Sequence, residues 1–320
     1  MRAGLAGGAA LAVIGAIGVA GWWAAVAAVA AIERNPDPLP RDRLAREPQG
    51  EEVLIERPDG TVLRAVVAGE GPTVVLAHGY TGTTKHWNIV WDALLTRGHR
   101  VIAFDQRGHG RSTLGSAGIG SESMAADYAA VLEHFDVRDG VLVGHSMGGF
   151  VAIRAVLDHP NLARRLRGLV LFATMAGRYR GGAPHNWLML PLMASGVLPG
   201  LVRTRTGGML FGALQCGKRP SPAMISVLRE VFAQHMKDHG PLIPILQAGV
   251  REDCYPRLGE IAVPTVVMGG SADRNTVPSH SRRLAAGVPG ARLITVPDAG
   301  HILNWEAPHA LVEVVCAFLQ

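Results

Sequence analysis

The chain has 320 residues, of which 48% are hydrophobic and 18% charged, so it can form one large domain with an insertion and is not typical of a disordered or fibrous protein. Its three cysteines have neither the C-x-x-C spacing of a zinc site nor the even count of a disulfide framework, and a bridge between Cys216 and Cys254 is expected only if the protein is exported. The net charge of +5 is unevenly placed, because residues 160–229 contain ten Lys or Arg and no acid, which leaves −5 for the other residues.

The chain begins with an uncharged stretch, residues 3–32, which lies between Arg2 and Glu33. This stretch is longer than the roughly 20 residues that a helix needs to cross a bilayer. Its length favours an uncleaved anchor over a signal peptide, whose apolar part has about 7 to 15 residues. We therefore predict a transmembrane anchor or signal segment over residues 1–32, with a soluble helix as the remaining alternative.

Residues 33–50 are rich in proline and in charged side chains and predict a linker between this segment and the following domain. The four arginines of the linker outnumber Arg2, and the positive-inside bias would then keep the following domain cytoplasmic. Cleavage at the small residues 28–30 would instead export the protein. The predicted location is therefore membrane-anchored or exported, with the side of the membrane left open.

From residue 51 onward, short apolar runs alternate with helical stretches. The first two runs surround Asp59-Gly60, which is a strong hairpin signal. The six later runs are Thr73–His78, Arg100–Asp105, Gly140–His145, Gly168–Ala173, Pro264–Gly270 and Ala291–Pro297. Repetition of strand and helix predicts an α/β fold, with a mostly parallel eight-stranded sheet flanked by helices and joined by right-handed crossovers.

Between Thr174 and Arg251 the strand pattern stops, which predicts a helical cap over residues 175–251, inserted between core segments 51–174 and 252–320. The apolar run from Trp187 to Met193 is flanked by arginines. One interpretation is that Trp187, Leu188 and Met193 bind an acyl chain while the basic cap rests against an anionic membrane. The alternative is an ordinary apolar cap helix with solvated arginines.

The sequence GHSMG, residues 144–148, fits G-x-S-x-G and lies directly after an apolar strand and before a helix. In this context the turn holds the hydroxyl of Ser146 at the edge of the sheet. The helix that follows places its positive end near that oxygen. Ser146 is therefore the predicted nucleophile.

Two loops after later strands carry a base and an acid. His301 follows the last predicted strand and can take the proton of Ser146, while Asp273 follows the strand before it and can orient His301. The order Ser, Asp, His is the one expected for this arrangement. Asp298 and Glu306 are poorer candidates for the acid.

The oxyanion formed in acyl transfer needs hydrogen-bond donors. We predict the backbone N–H groups of Met147, which follows the nucleophile, and of Tyr80, which follows the third strand. The ring of Tyr80 could also line the acyl pocket. No metal-binding or nucleotide-binding motif is present, so no cofactor and no nucleic-acid partner are expected.

The segments LAHGY, FDQRGHGRS, LVGHSMGG, GGSADRNTVP and AGHILNWEAP together resemble the α/β-hydrolase superfamily over residues 51–320. The resemblance implies a serine hydrolase, esterase-like or lipase-like, with a cap domain. A serine at 146 argues against the branches of the superfamily that use an aspartate nucleophile.

We expect cleavage of small-molecule carboxylic esters, with lipid or acylglycerol esters as one substrate class, and membrane contact through residues 3–32 and the basic cap. Hydrolysis of a C–C bond, lactone or amide in a soluble substrate is an alternative, as is cofactor-free haloperoxidase chemistry. Some members of the fold are non-catalytic binding proteins, but those typically lack a triad residue, and this chain has all three. The sequence leaves the oligomeric state open.

Overall fold

The computed structural model describes residues 20–178, 186–235 and 240–320. Within them, one sheet contains the strands β1 (Glu51–Glu56), β2 (Val62–Ala68), β3 (Thr73–Ala77), β4 (Arg100–Phe104), β5 (Gly140–His145), β6 (Leu166–Phe172), β7 (Thr265–Gly270) and β8 (Arg292–Val296). The strand order is β1-β2-β4-β3-β5-β6-β7-β8. Only the pairs β1–β2 and β2–β4 are antiparallel. The predicted mostly parallel, eight-stranded α/β sheet is confirmed.

Helices precede the sheet, connect its strands and form the cap. In chain order they are α1 (20–32), α2 (Arg41–Ala45), α3 (Asn88–Thr96), α4 (Ser121–His134), α5 (Met147–Asp158), α6 (Pro160–Ala163), α7 (Asn186–Ala194), α8 (Val197–Arg203), α9 (Arg205–Gln215), α10 (Pro222–His235), α11 (Ile243–Arg251), α12 (Pro278–Gly287), α13 (Leu303–Glu306) and α14 (Pro308–Leu319). Short 3-10 turns occupy Thr84–Trp87, Gly240–Leu242 and Tyr255–Glu260.

The central strands are apolar throughout because both faces of the sheet are covered. Alternate residues enter different clusters: Val75 packs on the side of α4, α5 and α12, whereas Val74 and Leu76 pack on the side of α3 and α14. A parallel sheet with helices on both faces has this near-continuous apolar pattern. The carboxyl ends of the parallel strands consequently share one edge, and the loops at that edge form the site described below.

The cap occupies the connection between β6 and β7 and contains α7 to α11. Its two ends meet at a short antiparallel bridge between Gly177 and Asp253. The amide of Cys254 donates to the carbonyl of Ala176 at 2.8 Å, which extends this bridge. The cap is thus closed at its base by backbone hydrogen bonds, at the position where the strand pattern of the sequence stops and resumes.

The predicted long hydrophobic helix at the N-terminus is not found among the described residues. Residues 1–19 of the predicted segment lie outside them, α1 covers 20–32, and no described helix has the length and apolar character needed to span a membrane. The end of α1 packs on the cap, where Val29 and Ile32 are buried in one cluster with Met209 and Ile225. Burial against the cap explains why the last turn of α1 has apolar side chains at Val29 and Ile32.

The segment predicted as a linker, residues 33–50, lies along the domain and contacts both the core and the cap. Asp37 accepts hydrogen bonds from the hydroxyl of Ser221 and the amide of Ala223 at the start of α10. Leu44 is fully buried, and the side-chain amide of Asn88 donates to the Leu44 carbonyl at 2.8 Å. We refer to residues 33–50 as the strap.

The three cysteines are free and buried. Cys254 packs in the main core, whereas Cys216 packs in the cluster formed with α1. The bridge between Cys216 and Cys254 that was considered for an exported protein is therefore not formed.

Candidate functional site

Ser146 lies in a tight turn between β5 and α5. Its backbone has φ 52° and ψ −119°, a conformation that residues other than glycine rarely adopt and that costs about 1–3 kcal/mol. The flanking glycines are needed for space: a Cβ on Gly144 would lie 2.7 Å from the carbonyl oxygen of Gly148, and one on Gly148 would lie 2.5 Å from that of Ala77. The sequence therefore forms a strained turn that presents the serine hydroxyl.

Three predicted residues form one hydrogen-bonded chain. The hydroxyl of Ser146 lies 2.9 Å from Nε2 of His301, and Nδ1 of His301 lies 2.9 Å from Oδ2 of Asp273. Asp273 and His301 are buried, at 3% and 6% exposure. The imidazole can accept the proton of Ser146 while the carboxylate stabilises the resulting positive charge.

The carboxylate of Asp273 is fixed by its own loop. Its Oδ1 accepts the backbone N–H groups of Asn275 and Thr276 at 2.8 and 3.0 Å, and its Oδ2 accepts the hydroxyl of Thr276 at 2.7 Å. These donors hold the acid in the orientation that His301 requires. They come from the sequence immediately after Asp273, so the loop arranges the acid locally.

The two predicted oxyanion donors lie beside the nucleophile. Tyr80 and Met147 line the same cavity as Ser146, and among the described residues their backbone N–H groups have no hydrogen-bond acceptor. Met147 is the first residue of α5, so the partial positive charge at the start of the helix strengthens the attraction of its N–H for an oxyanion. The turn before Tyr80 is close to the nucleophile, because a Cβ on Gly79 would lie 3.0 Å from that of Ser146. The positions of these two N–H groups are compatible with the predicted oxyanion hole, which remains a prediction.

Two buried histidines, His145 and His86, lie near the site and have lowered pKa values. Burial lowers the pKa of His145 well below its usual range, and the charge of neighbouring His301 lowers it further. The Nε2–H of His145 donates to the carbonyl oxygen of His301 at 2.9 Å, and the two rings are 4.9 Å apart. Burial also lowers the pKa of His86 to about 4. The neutral ring of His145 therefore positions His301 without competing for its proton.

A cavity of about 150 Å³ opens beside Ser146 and is mostly apolar. Core and cap both contribute side chains, which include Phe150, Met175, Met189, Met193, Phe211, Leu228, Phe232, Ile245 and Leu246. The phenol of Tyr80 is buried there, burial raises its pKa, and its oxygen has no partner within the described parts of the chain. Apolar walls of this kind suit an acyl group or a similar hydrophobic part of a substrate.

The predicted substrate-binding residues divide into two groups. Tyr80 and Met193 line the cavity. Trp187 and Leu188 do not line it and are 59% and 61% exposed, so their assignment to the acyl pocket does not fit their positions. Helix α7 begins outside the cavity wall and reaches the wall only from Met189 onward.

Sequence reasoning missed the contribution of α9 and α10. Phe211 and Gln215 are one helical turn apart on α9, and Leu228 and Phe232 are one turn apart on α10, so each pair shares one helix face. That spacing was visible in the sequence, but nothing in it showed which face of a cap helix would cover the serine.

Comparison with known proteins supports one family. The alpha/beta hydrolase family matches residues 74–314 of this chain. Polyketide synthase ThaQ of Burkholderia thailandensis is 32% identical over 281 residues, which are 83% of this chain but only 13% of ThaQ. The putative non-heme bromoperoxidase BpoC of Mycobacterium tuberculosis is 30% identical over 78% of this chain and 94% of its own.

A solved structure gives the same result. The enol-lactonase from Burkholderia xenovorans LB400 superimposes with a TM-score of 0.66 and 26% identity, covering 82% of this chain and 97% of its own. These similar proteins are named for different reactions, so the comparisons identify a shared fold and family rather than one substrate.

Proposed function

This chain belongs to the alpha/beta hydrolase family, and we propose that it is a serine hydrolase that cleaves carboxylic esters through an acyl-enzyme on Ser146. The observation that carries the proposal is the hydrogen-bonded chain from Ser146 through His301 to Asp273 at the strained turn after β5. A serine is a poor nucleophile alone, and this chain supplies the base and the orienting acid that activate it.

The geometry supports a two-step mechanism. His301 takes the proton from the Ser146 hydroxyl as its oxygen attacks the ester carbonyl, and the tetrahedral oxyanion accepts hydrogen bonds from the N–H groups of Tyr80 and Met147. The imidazolium then protonates the departing alcohol, which leaves an acyl group on Ser146. Water, deprotonated by His301, hydrolyses that acyl group and regenerates the serine.

The cavity favours a hydrophobic acyl group. Most of its wall area is apolar and includes Met, Phe, Leu and Ile side chains, and each methylene that leaves water stabilises binding by about 0.8 kcal/mol. Lipid esters belong to this class of substrate. Lactones, amides and C–C bonds present a similar carbonyl to the same triad, so a substrate panel must include them.

We also propose that the N-terminal segment brings the enzyme to an anionic membrane. Residues 3–32 are uncharged, and on α1 the side chains of Trp22 and Trp23 are 59% and 65% exposed. Exposed tryptophans are typical of membrane interfaces. Residues 160–229 have ten basic residues and no acid; Arg165, Arg178, Arg205 and Lys218 pair with acids from other segments, so at most six are available to anionic headgroups.

The first test is labelling of the full chain with a fluorophosphonate probe. We expect one labelled peptide, containing Ser146, and we expect Ser146→Ala and His301→Ala to abolish labelling. Ser116→Ala, at an exposed serine, is the matched control and should label like the parent. A folded protein that takes no label would contradict the serine-hydrolase proposal and favour a binding role.

The second test measures substrate and membrane preference. p-Nitrophenyl esters of increasing acyl length, a lactone, an anilide and a C–C hydrolase substrate are compared with and without vesicles containing anionic lipid. We expect ester hydrolysis to exceed the other reactions, to increase with acyl length and to rise with vesicles. No preference beyond butyrate and no vesicle effect would count against the lipid substrate and the membrane proposal.

A further inference from the structure

The cap is hydrogen-bonded to the loop that carries the catalytic histidine. At the end of α9, the carbonyl oxygen of Gln215 accepts the backbone N–H of His301 at 2.7 Å. Three residues later, the N–H of Lys218 donates to the carbonyl of Asp298 at 2.9 Å, and its ammonium pairs with the Asp298 carboxylate at 2.6 Å. The backbone of a cap residue therefore holds the backbone of the base itself. We call the contact between residues 215–218 and 298–301 the seam.

Glu306 joins the two sides of the seam. Its Oε1 accepts the N–H of Gly217 from the cap at 2.6 Å, and its Oε2 accepts the N–H of Gly300, the residue before His301, at 2.7 Å. Burial raises the pKa of this carboxyl, and the two N–H donors oppose that rise. A carboxylate suits the position because it offers one acceptor oxygen to each donor.

The backbones at the seam are in direct contact. A Cβ on Gly217 would lie 2.0 Å from the carbonyl oxygen of Asp298, and one on Gly300 would lie 2.3 Å from the carbonyl carbon of Cys216. Since there is no space between the two segments, the cap segment cannot move toward the loop of the base without displacing it, and the backbone hydrogen bonds between them oppose separation.

The same cap residue also reaches the loop of the acid. The side-chain oxygen of Gln215 accepts a hydrogen bond from the side chain of Asn275, whose backbone N–H donates to Oδ1 of Asp273. Gln215 in addition lines the cavity beside Ser146. One cap residue thus contacts the base loop, the acid loop and the substrate space.

We propose that Glu306 is a positioning residue, which clamps residue 217 of the cap to residue 300 and so holds His301 at its distance from Ser146. The inference rests on the proposed serine-hydrolase function and adds a coupling of the cap to the triad. The position of the cap thereby controls the reactivity of Ser146. Within the described residues, the titratable groups that interact with the imidazole of His301 are Asp273, Glu306 and His145.

The test is Glu306→Gln in the full chain, which keeps the shape of the side chain but leaves one acceptor oxygen for two N–H donors. We expect fluorophosphonate labelling of Ser146 to slow by about tenfold, because a buried donor loses its partner. We also expect the pH profile of labelling to move to lower pH, because a negative charge near the base is removed. Glu313→Gln, at a 63% exposed glutamate on α14, should change neither quantity.

A second variant approaches the seam from the cap. Gly217→Ala places a methyl group against the Asp298 carbonyl but leaves the charge of Glu306 in place, so we expect slower labelling with an unchanged pH profile. Folding of each variant is checked by circular dichroism, and Gly217→Ala provides the test if Glu306→Gln does not fold.

The outcomes separate the two proposals. A parent chain that takes no label contradicts the proposed function itself. If the parent is labelled and a folded Glu306→Gln protein has the parental rate and pH profile, the positioning role is overturned while the serine-hydrolase function stands. A slower rate without a shift of the pH profile would assign Glu306 a structural role only and would also overturn the proposal.

Discussion

Ser146, the proposed nucleophile, has a backbone conformation that favours glycine. At φ 52° and ψ −119° its Cβ is crowded, and the turn is maintained because β5, α5 and the carbonyl of Phe172 hold both sides of it. The amide of Ser146 donates to that carbonyl at 2.9 Å. The strain is therefore a cost in folding stability that is retained because the turn presents the hydroxyl.

This strain predicts an order of stability between two inactive variants. Ser146→Gly removes the Cβ and should be more stable than Ser146→Ala by about 1–2 kcal/mol, because glycine adopts positive φ without steric cost. The measurement is the free energy of unfolding in urea. The same two substitutions at exposed Ser116 provide the control, where alanine should be equal to or more stable than glycine. An alanine variant at 146 that matches or exceeds the glycine variant would contradict the strain.

At the scale of elements, the strap joins parts of the fold that are distant in sequence. Leu44 on α2 packs in one cluster with Met224 and Val227 of cap helix α10 and with Ile89 and Trp305 of the core. Asp37 fixes the start of α10 through Ser221 and Ala223. Residues before the sheet thus hold the cap in place, and experiments on the catalytic unit should retain them.

Truncation of the strap's buried side chain should therefore destabilise the whole domain. Leu44→Ala is expected to lower the free energy of unfolding by about 2–5 kcal/mol, since it removes buried methyl groups and leaves a cavity. Leu54→Ala, at a 60% exposed position on β1, is the matched control and should change it by about 0.5 kcal/mol or less. Equal effects of the two substitutions in urea unfolding would show that the strap does not support the fold.

At the scale of the whole molecule, burial keeps a set of imidazoles neutral. Burial lowers the pKa of each of them below its usual range, to about 4 for His86 and about 3 for His109. The others are His78, His145 and His235. Most of these rings lie between the sheet edge and the cap, so their protonation would bring positive charge into the interior next to the triad.

These shifts predict loss of stability in acid. The histidines protonate near pH 6.5 in the unfolded chain but only at lower pH in the folded protein, so the free energy of unfolding falls as the pH drops below about 6.5. His86 and His109 should each contribute about 2 kcal/mol of loss between pH 6.5 and 5. Burial raises the pKa of Asp105 and of Glu306 in the folded protein, so protonation of these two carboxyls increases the free energy of unfolding as the pH falls further.

Urea unfolding at pH 7 and pH 5 measures this effect. His86→Gln should lower the number of protons taken up on unfolding by about one, which reduces the slope of the free energy of unfolding with pH. His134→Gln, at an exposed position, should leave that slope unchanged. A free energy of unfolding that is the same at both pH values would rule out the buried neutral histidines.

Local patterns in the sequence were sufficient to predict the sheet and the order of the three residues that form the hydrogen-bonded chain. Each core strand is a short apolar run, and Ser146, Asp273 and His301 each follow a strand, so a parallel sheet necessarily brings their loops to one edge. Small residues around Ser146 revealed the tight turn. These features depend on neighbours within a few residues, which is why a sequence without a structure can reveal them.

Tertiary structure alone decided the arrangement of the cap, the strap and the seam. An apolar face on α7, α9 or α10 shows that a helix packs, but not against what, so Trp187 and Leu188 were assigned to a cavity that Phe211 and Phe232 line instead. The same ambiguity applies to the N-terminal segment, where Val29 and Ile32 are apolar because they pack on the cap. Glu306 had no assigned partner in the sequence, because its two N–H donors come from residues 6 and 89 positions away. Hydrophobic patterns are local and non-directional, whereas such pairings are specified only when the chain is folded.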